Sequence, residues 1–332
     1  MKCLHCNKPF SPDASAEEKT RGWHATCVRR FFGGMGYPEI DWSESALELT
    51  AADLAAKGFT VPGVQKKISL GQKPKQTSKA TGRRTLPDCL PGFIVKPPAE
   101  DLANLPEAEF LAMLLAREAK LKTVPFGLMR LTSDQPRYAY VTKRIDRLFE
   151  RGDQQLSSLA MEDFAQIGGL LSEDKYRSSY ERCAAIIASC SERPGIDLTE
   201  LFMLLVFSFV IGNSDLHLKN VSLIETAPAS GKYVLADAYD LLPVQIVYPD
   251  DKDELALTLN GKRRRLKVED FLMFAEHVGL TRKTAFRLID RIVKHKHGFL
   301  TLVQDSYLPD DKKDRFCALI DERCRVLGGE MT

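Results

Sequence analysis

The chain has 332 residues, 44% hydrophobic and 28% charged, with a formal net charge of +2. That length admits two or three domains with a large core, and the near-neutral balance excludes a global attraction to nucleic acid or membranes. The opening Met1-Lys2-Cys3 lacks a signal peptide's apolar region, and the longest apolar run, residues 201–212, is short for a bilayer span. Eight cysteines, with Cys183, Cys190, Cys317 and Cys324 standing singly in helical patterns, do not read as a disulfide framework. A reducing cytoplasm is the expected compartment.

Residues 1–33 carry Cys3-x2-Cys6 and, after seventeen residues, His24-x2-Cys27. Two such knuckles can bring three thiolates and one imidazole to a tetrahedral zinc ion. The polar, turn-like stretch between them has little to bury, so a structural metal is expected to hold it; His5 is a rival ligand. A glycine-rich linker follows, and Ser45–Lys57 reads as an amphipathic helix closed by Gly58. Pro62-Gly63 suits a turn, with Val64, Ile68 and Leu70 in strands beyond it. Residues 71–85 are basic and polar, a loop by default.

Phe93–Pro97 reads as a buried strand ending in Lys96, placed to reach phosphates. Pro106–Leu121 reads as a helix with Glu109 in its first turn. Glu109 either pairs with Lys96, as in the kinase Lys–Glu bridge, or complements the helix dipole. Phe126–Leu131 and Tyr138–Ile145 are expected strands. From Met161 the pattern is helical apart from Tyr233–Leu235 and Leu255–Leu259.

The stretch Ile-Gly-Asn-Ser-Asp-Leu-His-Leu-Lys-Asn, residues 211–220, follows an all-apolar run. Its Asp215 and Asn220 have four residues between them, the spacing of a protein-kinase catalytic loop, in which the Asp serves the acceptor hydroxyl and the Asn holds magnesium. Asp240 suits the metal-binding aspartate of the kinase D-F-G segment, although no glycine follows it. The expected fold is α+β and two-lobed: a zinc-knuckle-like segment (1–36), a β-rich N-lobe (37–150) and a helical C-lobe (151–332).

Eight blocks in order resemble the HipA-type serine/threonine kinases, toxins of bacterial toxin–antitoxin systems. They are PGVQKKISL (62–70), FIVKP (93–97), EFLAMLLARE (109–118), VTKRIDR (141–147), EDFAQ (162–166), GNSDLHLKN (212–220), AYDLLP (238–243) and LNGKRRRL (259–266). The resemblance implies an ATP- and Mg2+-dependent protein kinase whose targets are typically aminoacyl-tRNA synthetases. It implies Asp215 as catalytic base, Asn220 and Asp240 as magnesium ligands and Lys96 on the ATP phosphates. It also implies ATP-binding roles for Glu109, the hinge residues Lys143 and Ile145, the Gly63-Val64-Gln65 loop, His217 and Lys219.

Only about 60 residues precede the Gly-Val-Gln block, as in the short HipT-type toxins. Those lack an N-terminal subdomain that a separate HipS-like protein supplies, within HipBST-type operons that also encode a DNA-binding HipB-like antitoxin. Both are expected partners, with DNA reached only through the antitoxin and no membrane involved. The family's autophosphorylated serines match Thr60 and Pro62 here, so Thr60 is the candidate and Ser69 a weaker one. The basic run 262–267 reads either as a contact for an acidic partner or tRNA, or as a solvated turn at Asn260-Gly261 followed by an edge strand. Lys294–His297 reads as a helix C-terminus. A non-catalytic kinase-like regulator binding protein or nucleic acid is the alternative function, and phosphorylation of a small molecule a third.

Overall fold

The computed structural model describes residues 1–33, 36–38, 43, 45–47, 67–71, 91–99, 101–133, 136–149 and 156–328. Its chain divides into two compact units, Met1–Phe110 with Val124–Ser157, and Leu111–Thr123 with Ser158–Thr332.

The first unit opens with two short helices. Ser15 caps Ala16–Arg21 (α1): its hydroxyl accepts the Glu18 N–H while the Glu18 carboxylate accepts the Ser15 N–H. Gly22, at φ 73°, ends α1 in the left-handed region that glycine adopts without strain. Ala25–Phe32 (α2) then buries Cys27, Val28, Phe31 and Phe32.

The sheet of this unit comprises Ile68–Gly71 (β1), Pro91–Lys96 (β2), Phe126–Arg130 (β3) and Tyr138–Lys143 (β4), all antiparallel in the order β1-β2-β4-β3. The helix Leu105–Glu118 (α3) begins here, with Phe110 edge-on to Phe126 at 5.7 Å.

β3 is an edge strand, and the N-terminal segment covers it. The Leu128 N–H donates to the Leu4 carbonyl at 2.8 Å, and the Trp23 indole N–H donates to the Leu128 carbonyl at 2.8 Å. This satisfies edge groups that otherwise invite pairing with another chain. Gly127 is required at the contact, because a Cβ there would lie 2.6 Å from Trp23 Cζ2. Trp23, Phe31 and Phe32 pack together, and Phe93 of β2 joins them at 5.5 and 5.2 Å from the two phenylalanines. Arg147–Phe149 (β5) and Leu156–Ser158 (β6) form a two-stranded ribbon.

The second unit is built on Pro194–Ile211 (α6). Proline at its first position and Gly212 in the left-handed conformation (φ 67°) set its ends, and every residue from Leu201 to Ile211 is buried. The helix is long and apolar enough to cross a membrane, but 67% of it is buried inside the protein, as befits a core helix.

Around it lie Phe164–Ile167 (α4), Tyr180–Cys190 (α5), Val244–Val247 (α7), Val268–His277 (α8), Arg282–Val293 (α9), Lys296–Gln304 (α10) and Asp310–Gly328 (α11). Phe209 meets Phe271 of α8 at 5.1 Å and Phe207 meets Phe299 of α10 at 6.1 Å. A three-stranded antiparallel sheet, Met161–Asp163 (β7), Ser222–Glu225 (β8) and Tyr233–Leu235 (β9), flanks the core in the order β7-β8-β9.

The expected two-lobed α+β architecture is what the chain adopts, with local corrections. β7 and β8 are strands where a helical pattern was expected; at three and four residues they are too short to display a period. Leu255–Leu259 is not a strand. Thr258 and Leu259 make single bridges to Ser179 and Lys262, and Leu255, Ala256, Leu257 and Leu259 are all buried. An apolar run can therefore lie in the core without joining a sheet.

No edge strand follows Asn260-Gly261 either. Arg264 instead pairs with Asp253 at 2.5 Å and Lys262 with Asp270 at 2.7 Å. Lys294–His297 is a junction between α9 and α10, with Lys294 on Asp290 and Lys296 on Asp321 at 2.7 Å. Residues 45–47 are helical, whereas 48–58, Pro62 to Val64 and the basic loop 72–85 lie outside the described residues.

Candidate active site

The two units carry separate groups of candidate residues. In the first unit, β2 alternates buried Phe93 and Val95 with half-buried Ile94 and delivers Lys96 at its end. Lys96 Nζ lies 2.6 Å from Glu109 Oε1 on α3, both side chains only 4% exposed, and 5.4 Å from the centre of the Tyr140 ring. So Glu109 is turned onto a lysine. Glu109→Gln is expected to destabilise the protein by about 3–5 kcal/mol, the cost of breaking a buried ion pair. A carboxylate serving only the helix dipole is worth about 0.3–1 kcal/mol. Denaturant unfolding separates the two.

At the C-terminal end of β4, Lys143 pairs with Phe93 across the ladder, and burial lowers its pKa. The turn that includes Ile145 is set by Asp146, whose carboxylate takes Arg144 through two bonds (2.9 and 2.6 Å) and Arg147 at 2.8 Å. Ser69 sits in β1 opposite Ile94. Thr60, Gly63, Val64 and Gln65 lie outside the described residues.

In the second unit, the end of α6 shapes the loop. After Gly212, Asn213 is fully buried; its N–H donates to the Ser208 carbonyl (2.8 Å) and its Oδ1 accepts the Asp215 N–H (3.2 Å). Ser214 donates to Asp251 at 2.6 Å. The Asn220 amide donates to the Asp215 carbonyl at 2.8 Å, and the Asn220 N–H to the His217 carbonyl at 2.9 Å. The four intervening residues thus close one compact loop with Asp215 and Asn220 side by side. That leaves Asn220 Oδ1, a hard oxygen donor of the kind magnesium takes.

The Asp215 carboxylate accepts the Tyr176 hydroxyl and lies 3.7 Å from His217 Nε2. Burial lowers the His217 pKa, so the ring is neutral near pH 7, and among the described residues its buried Nδ1 has no hydrogen-bond partner. Lys219 reaches Asp163, which caps α4, at 2.7 Å. Asp240 has φ 52°, an unusual value for a non-glycine residue. Its neighbour Tyr239 ties this segment to the loop, meeting Ser222 at 2.5 Å and donating to the Lys219 carbonyl at 3.2 Å. Sequence reasoning missed Tyr176, Asp163 and Tyr239, since contacts across 39, 56 and 17–20 residues leave no local pattern.

The N-terminal cluster is a distinct centre. The ligand atoms of Cys3, Cys6, His24 and Cys27 all lie within 4.8 Å of one another, with His24 Nδ1 3.4 Å from Cys6 Sγ and 3.8 Å from Cys27 Sγ. A tetrahedral zinc with bonds of about 2.3 Å to sulfur and 2.0 Å to nitrogen has ligand–ligand edges of about 3.5–3.8 Å, so the donor set fits that ion. A hydrogen bond with Cys3 lowers the Cys6 thiol to about 7, while that bond raises Cys3 and burial raises Cys27. His5 is committed elsewhere: Nδ1 lies 2.8 Å from the Phe126 carbonyl and the ring stacks on Trp23 at 5.0 Å.

With this geometry in place, the profile of the HipA-like C-terminal domain matches residues 59–298. The chain belongs to that family. A Haemophilus influenzae relative named "Putative kinase" is 25% identical over 310 residues, 87% of each chain. The Sinorhizobium fredii "Putative kinase Y4dM" is 33% identical over 218 residues, 62% of this chain and 50% of its own. Among solved structures, HipA of Shewanella oneidensis MR-1, determined with HipB and operator DNA, aligns with a TM-score of 0.66 at 20% identity. The match covers 81% of this chain and 65% of that one. The Helicobacter pylori proinflammatory kinase CtkA aligns at 0.52 with 16% identity, covering 81% and 90%. At these identities the structural likeness is one of fold. The chain thus spans most of one curated relative but half of Y4dM and 65% of HipA.

Proposed function

We propose that the chain is an ATP- and magnesium-dependent kinase that phosphorylates serine or threonine in a protein, and that it is the toxin of a HipBST-type toxin–antitoxin system in the cytoplasm. The observation that carries this reading is the closed loop from Asp215 to Asn220, in a chain of the HipA-like family whose other unit holds the buried Lys96–Glu109 pair. Asp215 would receive the acceptor hydroxyl's proton as its oxygen attacks the terminal phosphorus. Lys96, positioned by Glu109, would bind ATP phosphates, and Lys143 and Ile145 would frame the adenine. Asn220 and Asp240 would hold magnesium, which neutralises charge on the phosphates when bound.

Cys3, Cys6, His24 and Cys27 would hold a structural zinc ion. Four protein ligands leave no open position for chemistry. The domain division at residues 36 and 150 belongs to the same reading, as does autophosphorylation at Thr60 or Ser69. A HipB-like antitoxin as partner is supported by the Shewanella HipA structure, which contains HipB and operator DNA. A HipS-like protein is the second partner, and an aminoacyl-tRNA synthetase the target that would stop translation.

The test is incubation with Mg·ATP and a panel of purified bacterial aminoacyl-tRNA synthetases, with phosphopeptide mapping. Phosphate on a serine or threonine of one synthetase is expected. Transfer to other proteins alone would discard the synthetase target and keep the kinase.

A further inference from the structure

Tyr176 lies outside every motif that points to phosphotransfer, yet among the described residues it is the one hydrogen-bond donor to the Asp215 carboxylate. Its ring stands edge-on against His217, with centroids 4.9 Å apart and planes at 78°. The segment around it is fastened to the loop at two further points. The Lys175 carbonyl accepts the Leu218 N–H at 3.3 Å, and the Tyr180 hydroxyl donates to the Leu216 carbonyl at 3.0 Å. Arg263, from the basic run, closes the arrangement by donating to the Tyr176 carbonyl.

From these contacts we infer that Tyr176 is a positioning residue for phosphoryl transfer: it fixes the Asp215 carboxylate through Oδ1 so that Oδ2 meets the acceptor hydroxyl, and Arg263 holds Tyr176 in place. The inference deepens the kinase reading above and rests on it. A carboxylate turns freely about its Cβ–Cγ bond, and the Asp215 side chain is 36% exposed, so burial alone does not orient it. One fixed donor on Oδ1 removes that freedom before substrate arrives, which is how a proton acceptor is pre-organised.

The proton balance is then simple. The acceptor hydroxyl gives its proton to Oδ2, its oxygen bonds to the terminal phosphorus, and ADP departs with the electrons of the broken P–O bond. Tyr176 keeps its own proton throughout. Burial and the Asp215 charge push its phenol pKa up, so it stays a donor at neutral pH. The contact also gives Arg263 a role that bulk charge attraction does not describe.

The test compares wild type with Tyr176→Phe, Arg263→Ala and the double variant, measuring kcat, KM for ATP and melting temperature. Tyr176→Phe keeps the ring against His217 and removes only the hydroxyl. It is expected to lower kcat about tenfold, the order of one lost transition-state hydrogen bond, with KM for ATP unchanged. Arg263→Ala is expected to act in the same direction, and the double variant to lose less than the product of the two. Should Tyr176→Phe fail to fold, Arg263→Ala decides by the same split between kcat and KM.

An unchanged kcat in an active enzyme would overturn the inference. A rise in kcat would do so too, because Tyr176 would then be occupying the acceptor's place. Wild type without phosphotransfer would overturn the kinase reading itself.

Discussion

Replacing Asp215 by alanine is expected to slow phosphoryl transfer by about 10²–10⁴-fold, the contribution of a well-placed general base, while the protein stays folded. The loop does not depend on this carboxylate for its shape. The main-chain groups of Asp215 hold it, the carbonyl on the Asn220 amide and the N–H on Asn213. Asn220→Ala removes one of those bonds along with the oxygen proposed to hold magnesium, so it is expected to cost both activity and stability. Initial rates at saturating Mg·ATP, with thermal melts of the same samples, separate the two variants. A loss below tenfold for Asp215→Ala would deny it the role of base.

Zinc removal is expected to have the largest effect on the first unit. The intact chain should carry one zinc, and Cys27→Ser or His24→Ala should abolish it, while His5→Ala should retain it because His5 serves the Phe126 carbonyl. Structural zinc sites in small peptides contribute about 10–16 kcal/mol at neutral pH. The loss here should be smaller, because Trp23, Phe31 and Phe32 also hold the segment on the sheet. Metal content by atomic spectroscopy, with a melt before and after chelation, checks both statements. Retention of zinc in Cys27→Ser, or its loss in His5→Ala, would redraw the ligand set.

The elements that sequence reasoning located are those whose cause is local. The C-terminal part of α6, Leu201–Ile211, is apolar but for Ser208 and is closed by Gly212, and β2 carries the apolar run Phe93–Val95, so pattern alone outlines these stretches. The closure of the Asp215–Asn220 loop follows from spacing, because an amide five positions on can reach back to the first carbonyl. The rest depends on partners distant in the chain. Leu255–Leu259 carries the apolar content of a strand, yet core contacts fix it without a ladder. Spacing favours His24, in the knuckle with Cys27, and leaves His5 as a rival ligand. The approach of β3 removes the rival, committing His5 to a backbone carbonyl while His24 lies beside the thiols. The basic run reads either as a partner contact or as a solvated turn and edge strand, whereas Lys262, Arg263 and Arg264 each bond groups of the chain itself.

The most direct measurement of kinase chemistry is the fate of the terminal phosphate of Mg·ATP when the chain is mixed with nucleotide-depleted bacterial extract. It is followed by ADP release and by phosphate bound to protein serine or threonine, with Asp215→Ala and Asp240→Ala alongside. The expected result is protein-bound phosphate matched by ADP in wild type and absent from both variants. Wild type that releases no ADP and labels no protein, or variants that label as well as wild type, would contradict it.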